Sequence, residues 1–162
     1  EPKAYRLEAW DFIIAGGGSF SNLDYSFSVG HEDGQGLIDA PGGGGPIFRK
    51  QLEILKEFMA GFDFIRMEPD NSVIKGSLPD KTTARALVQK GRAYAIYING
   101  GSRVDLQVEL PQGRYRAHWV DTKTGQIAAR EAFDHAGGVR KLESPAYDSD
   151  IALRITAAGD GR

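Results

Sequence analysis

"VDLQVELPQGRYRAHWVDTKTG", residues 104–125, decides how the chain is read. Val104, Leu106, Val108 and Leu110 alternate with Asp105, Gln107 and Glu109. Tyr115, Ala117 and Trp119 alternate with Arg114, Arg116 and His118. A period of two puts every apolar side chain on one face of a strand. "LPQG" and "DTKTG" supply the turns that end these runs. "ARALVQ" (84–89), "AYAIYI" (93–98) and "DIALRI" (150–155) add three more candidate strands, with "QKGR", "NGGS" and "HAGG" as further turns. Short strands at this spacing predict an antiparallel β-sandwich. Tyr115 and Trp119 are then core residues rather than a platform for stacking on sugars, because they alternate with charged neighbours. "DTKTG" reads as a hairpin loop whose Asp and Thr side chains bond their own backbone.

Upstream the period changes from 2 to 3.6. In "PKAYRLEAWDFIIAGGG" (2–18), Leu7, Trp10 and Ile14 fall at helical spacing with Ile13 beside them. Pro2 suits a first helical position and the glycine run stops the helix. "GGPIFRKQLEILKEFMAGF" (44–62) is the clearest helix. Phe48, Leu52, Leu55 and Met59 form a stripe flanked by Ile47, Gln51, Ile54 and Phe58, and Gly61 is placed to cap it. Between them, "FSNLDYSF" (20–27) reads as a short buried strand. The grammar switches near residues 65–72, so the expected division is 1–64 and 65–162, with "MEPDNS" as connector. The fold class is α+β overall: a partial α/β segment of two helices and a strand, then an antiparallel β-sandwich. A helix–strand–helix piece cannot bury its own faces. It is the end of a larger α/β domain, or it docks on the sandwich.

The bulk numbers are those of a folded domain. The chain has 162 residues, 41% hydrophobic and 26% charged, which is enough to bury a core. A formal net charge of −2 with mixed signs argues against nucleic acid and anionic membrane as partners. No cysteine is present, which excludes disulfides and thiolate metal sites. No apolar run reaches the length of a membrane span. The first residue is Glu1, directly before a helix, and we expect an upstream portion, any export signal included.

"EAWDFIIAGGGSFSNLDYSFSVGHEDG" (8–34) and "GGGGPIFRKQLEILKEFMAGFDFIRMEPD" (42–70) resemble the last portion of a TIM-barrel glycoside hydrolase of the cellulase-like and apiosidase-like group. The rest resembles the β-sandwich that follows the barrel there, labelled a collagen-binding domain of a collagenase. Trp119, Asp121, Thr124 and Gly125, in a W-x-D-x-x-T-G pattern, are its best single marker. The resemblance implies that residues 1–64 are the C-terminal remnant of a (β/α)8 barrel and 65–162 an accessory sandwich. It implies glycosidic-bond hydrolysis by two carboxylates, needing no cofactor, both on earlier strands outside this chain. No catalytic residue is therefore assigned here, and the chain alone is expected to be inactive. Secretion or periplasmic location follows from the substrate class alone.

If "FSNLDYSF" is the last barrel strand, residues 24–33 climb to the substrate face. Asn22, Asp24 and Tyr25 are then placed to bond sugar hydroxyls, and Tyr25 or Phe27 to stack on a sugar ring. His31, with Glu32 and Asp33, would form the rim of a polysaccharide or oligosaccharide site. A metal site from three consecutive side chains is disfavoured, since they cannot easily converge on one ion. "GGGGPIFRK" (42–50) offers free N–H groups to an anion but lacks the ending of a P-loop, and reads as a loop plus helix start. The missing barrel portion is expected to pack on residues 1–64. The alternative is a stand-alone, non-enzymatic module binding carbohydrate or matrix protein, with residues 1–64 as an integral cap.

Overall fold

The computed structural model describes residues 3–36 and 44–159. Two helices, α1 (Lys3–Ile14) and α2 (Pro46–Ala60), come first. After a 3-10 turn at Phe64–Arg66 the chain turns to strands: β1 (Glu68–Pro69), β2 (Ile74–Lys75), β3 (Thr83–Gln89), β4 (Ala93–Asn99), β5 (Asp105–Leu110), β6 (Gly113–Val120), β7 (Ile127–His135), β8 (Gly138–Glu143) and β9 (Asp150–Ala157).

The strands form two antiparallel sheets, ordered β1-β3-β4-β9-β6-β7 and β2-β5-β8. Their inner faces meet in one core of Tyr94, Ile96, Ile98, Leu106, Val108, Leu110, Tyr115, Ala117, Trp119, Leu142, Leu153 and Ile155, among others. The alternation in β5 and β6 is thus the cause of the sandwich, and Tyr115 and Trp119 lie inside it. In the β6–β7 hairpin, Asp121 Oδ1 accepts from the N–H of Lys123 at 2.7 Å and of Thr124 at 3.0 Å. Gly125 takes φ +74° there, a conformation that costs glycine little.

A third layer lies on the other face of the six-stranded sheet. α1 and α2 share a second core with Leu87, Ala93, Ala95, Tyr97, Val120 and Ala152. β4 is covered on both sides, which is why "AYAIYI" carries no polar alternation. Its outward alanines let Trp10 reach Tyr97, with ring centroids 5.6 Å apart and nearly parallel planes. One ion pair crosses the layers out of contact with water: Arg6 donates to Asp150 Oδ1 at 2.8 Å, and both side chains are fully buried. Asp150 Oδ2 also accepts from the hydroxyls of Thr122 at 2.6 Å and Tyr97 at 3.2 Å. Burial and the Asp150 charge both push the Tyr97 phenol far above its ordinary value.

Several expectations are corrected. No strand forms over 20–27; among residues 3–36 the one β-contact is an isolated bridge between Ser28 and His31. A single extended segment has no ladder to join without neighbours on either side. The buried stripe of α1 runs through Arg6, Ala9, Trp10 and Ile14, leaving Leu7 only partly covered. In α2 the stripe holds at Phe48, Leu55 and Met59, but Gln51, Ile54 and Phe58 are buried beside it, Leu52 is only partly covered and Ile47 is exposed. Gly61 ends α2 at φ −75°, not in the left-handed region. A Cβ there would lie 2.6 Å from the Arg154 guanidinium carbon, so any side chain at this position displaces Arg154. Pro2 lies outside the described residues.

Candidate functional site

The segment 20–36 is held by its contacts with the start of α2. Asp24 Oδ1 accepts from the N–H of Ser26 and of Gly45, each at 3.0 Å, and from the Ser26 hydroxyl. Oδ2 takes Arg49 Nη1 at 2.6 Å. Arg49 also reaches Ser26 Oγ at 2.9 Å and the Gly34 carbonyl at 2.9 Å, and lies over the Phe27 ring, 5.1 Å from its centroid. One guanidinium therefore ties residues 24–34 to the helix. Desolvation pushes Asp24 upward, but the bonds from Ser26, Arg49 and Gly45 outweigh it and hold the carboxyl at about 2. The helix N-terminus that was open to an anion already has one, the chain's own Asp24.

The predicted site residues separate on this frame. Asp24 is committed to structure, with at most one acceptor position left on Oδ2. Asn22 donates to the Leu23 carbonyl at 3.1 Å. Tyr25 and His31 are exposed, and their side chains make no hydrogen bond among the described residues; the His31 backbone bonds Ser28 and Gly34. Glu32 Oε1 accepts from Gly30 N and Asp33 Oδ1 from Gln35 N, both at 3.0 Å, so these carboxylates close their own turns. No group of three potential ligands for a metal occurs among the described residues. Arg49 is the residue that sequence reasoning passed over. A cation in the first turn of a helix opposes the macrodipole, and that oddity was the available signal.

Apolar exposure concentrates in this layer. Leu23 is 68% exposed, Tyr25 41%, Phe27 53% and Val29 98%. At the opposite end of the helices a groove of about 630 Å³ runs between them, lined by Ile13, Phe20, Leu52, Leu55, Met59 and Phe64, with Gly16–Gly18 along one rim. Lys56 is its one charged lining residue.

A family model described as "Putative collagen-binding domain of a collagenase" matches residues 68–155. No curated protein matches the chain. Among solved structures, one titled "Glycoside hydrolase" shares 23% identity over 75% of this chain and 29% of its own, with a TM-score of 0.53. A glycoside hydrolase family 5 structure from Bacteroides vulgatus ATCC 8482 shares 21% identity over 76% of this chain and 30% of its own, with a TM-score of 0.57. The chain thus spans less than a third of either, and at these identities the likeness is one of fold.

Proposed function

This chain belongs to the family described as "Putative collagen-binding domain of a collagenase", and from that premise we propose that it is the C-terminal part of a glycoside hydrolase. Residues 65–162 are the accessory sandwich, and residues 1–64 are the remnant of a (β/α)8 barrel. The parent hydrolyses a glycosidic bond of a polysaccharide or oligosaccharide, outside the cell or in the periplasm, with two carboxylates lying on residues upstream. The sandwich braces the barrel through α1 and α2.

The observation that carries this reading is the open apolar groove between α1 and α2. Large apolar concavities on one side of a helical layer mark a lost or latent interface. The exposed Leu23, Tyr25 and Phe27 fit the same account, because apolar residues taken from a barrel lose the side chains that covered them. Likeness to the two glycoside hydrolase structures over three quarters of the chain adds support, since the strands alone span less than that.

The chain alone is expected to show no turnover on aryl glycosides and plant polysaccharides, and to bind a hydrophobic dye. Phe64→Glu, at the groove wall and 52% exposed, should weaken dye binding with an unchanged thermal transition. The family's description keeps one rival in view, a self-contained binding module for carbohydrate or matrix protein. It predicts a monomer that binds no dye and melts cooperatively, and that result, or real turnover, would sink the proposal.

A further inference from the structure

The helices cover the outer face of the six-stranded sheet over β3, β4, part of β9 and Val120 at the end of β6. Beyond α2, the faces of β6 and β7 stay open, and their chemistry is one-sided. In the ladder His118 stands directly opposite Arg130 of β7 on one side and Arg154 of β9 on the other. Side chains so paired have Cβ atoms about 5 Å apart on one face. Arg116 lies two residues along β6, on the same face. The Arg116 and Arg130 side chains make no ion pair or hydrogen bond among the described residues.

The row ends in a pocket. Ile54, Glu57 and Phe58 of α2 close one side, and His118, Val120, Gly125, Ile127 and Arg154 the other, around about 210 Å³. Arg154 is fixed in place: it donates to the Phe58 carbonyl at 2.6 Å and lies 5.0 Å from the ring centroids of both Phe58 and Phe62. The single carboxylate in the lining is the exposed Glu57; farther along, Asp134 pairs with Arg114 at 3.7 Å. Along the row and pocket, Arg116, Arg130, Arg154 and His118 thus stand against Glu57, with Asp134 engaged by Arg114. The volume is too small for a free ligand of ordinary size, but it suits the charged substituent of a chain lying across the open strands.

We propose that the outer face of β6 and β7, with Arg154 of β9, binds the carboxylate groups of an acidic polysaccharide. The polysaccharide assignment rests on the glycoside hydrolase reading; the cationic row does not. Nucleic acid fits less well. The exposed aromatics Phe12, Tyr25, Phe27 and Phe64 all lie off these strands, so no base-stacking platform adjoins the row. An anion also accounts for His118. Desolvation, then Arg130, Arg154 and Arg116, hold its imidazole below the ordinary value. A carboxylate bound among them reverses that bias, so binding should tighten as pH falls from 8 to 6.

Affinity electrophoresis in polygalacturonate should retard the protein, and neutral dextran should not. Arg116→Gln and Arg130→Gln, both exposed and remote from either core, should each weaken retardation about tenfold with unchanged melting. His118→Gln should flatten the pH dependence. Retardation equal in the variants, or equal in dextran, would overturn the proposal. Retention of poly(dT) with the same sensitivity to the arginine variants would overturn the polysaccharide assignment. The dye-binding test reads the groove on the other side of α2, so either reading can fail alone.

Discussion

Asp24 shows how one side chain can pass from candidate ligand to structural node. Its folded pKa lies near 2, below the ordinary 3.8. The linked stability is therefore present in full above about pH 4–5 and lost as pH falls through 2, up to about 2 kcal/mol. Asp24→Asn keeps the shape but removes the charge opposite Arg49. It should cost about 1–2 kcal/mol in urea unfolding at neutral pH, speed amide exchange at Ser26 and Gly45, and flatten acid denaturation between pH 4 and 2. Gly61 makes a second test, because two effects there have opposite signs. Its φ of −75° suits alanine, and Gly→Ala at a compatible site normally stabilises by about 0.4–1 kcal/mol. The Arg154 guanidinium carbon, 2.6 Å from the added Cβ, should reverse that. Gly61→Ala is expected to destabilise the native chain and to stabilise an Arg154→Met background, read as a double-mutant cycle of thermal unfolding.

Elements whose sequences alternate were legible, and those defined by distant partners were not. β5, β6 and β9 follow from period two, because one face of each meets the opposing sheet, and β3 and β4 from short apolar runs bounded by turn residues. β1 and β2 are two residues long and carry no period at all. "FSNLDYSF" alternates as well as a strand does, yet alternation supplies no neighbour, and the segment is organised by Arg49 instead. The same limit hid the buried pair of Arg6 and Asp150, which are 144 residues apart. Removing one partner of such a pair leaves a charge without compensation. Asp150→Ala should cost about 3–5 kcal/mol in chemical denaturation. Arg6→Met should cost less, because the hydroxyls of Thr122 and Tyr97 still hold the Asp150 carboxylate. Equal losses would mean that those two hydroxyls contribute nothing to the anion.

At the scale of the whole molecule, the helical layer and the sandwich depend on each other unequally. The sandwich has its own core between the two sheets, so residues 65–162 should fold without residues 1–64. What they would expose is the outer face of the large sheet: Leu87, Ala93, Ala95, Tyr97, Val120 and Ala152. That face is flat, apolar and central, the type of surface that drives association. Asp150 would lose Arg6 and meet water. Deleting residues 1–64 is therefore expected to keep the strand signature in circular dichroism, lower the melting temperature, and produce concentration-dependent association in sedimentation. The helices have no such independence. Trp10, Ile14, Ile54 and Phe58 bury themselves largely against the sheet, and a two-helix piece of this length is marginal in water. A truncated sandwich that stays monomeric with an unchanged melting temperature would show that the contact with α1 and α2 is incidental, and the brace proposed for the parent enzyme would then have no structural basis.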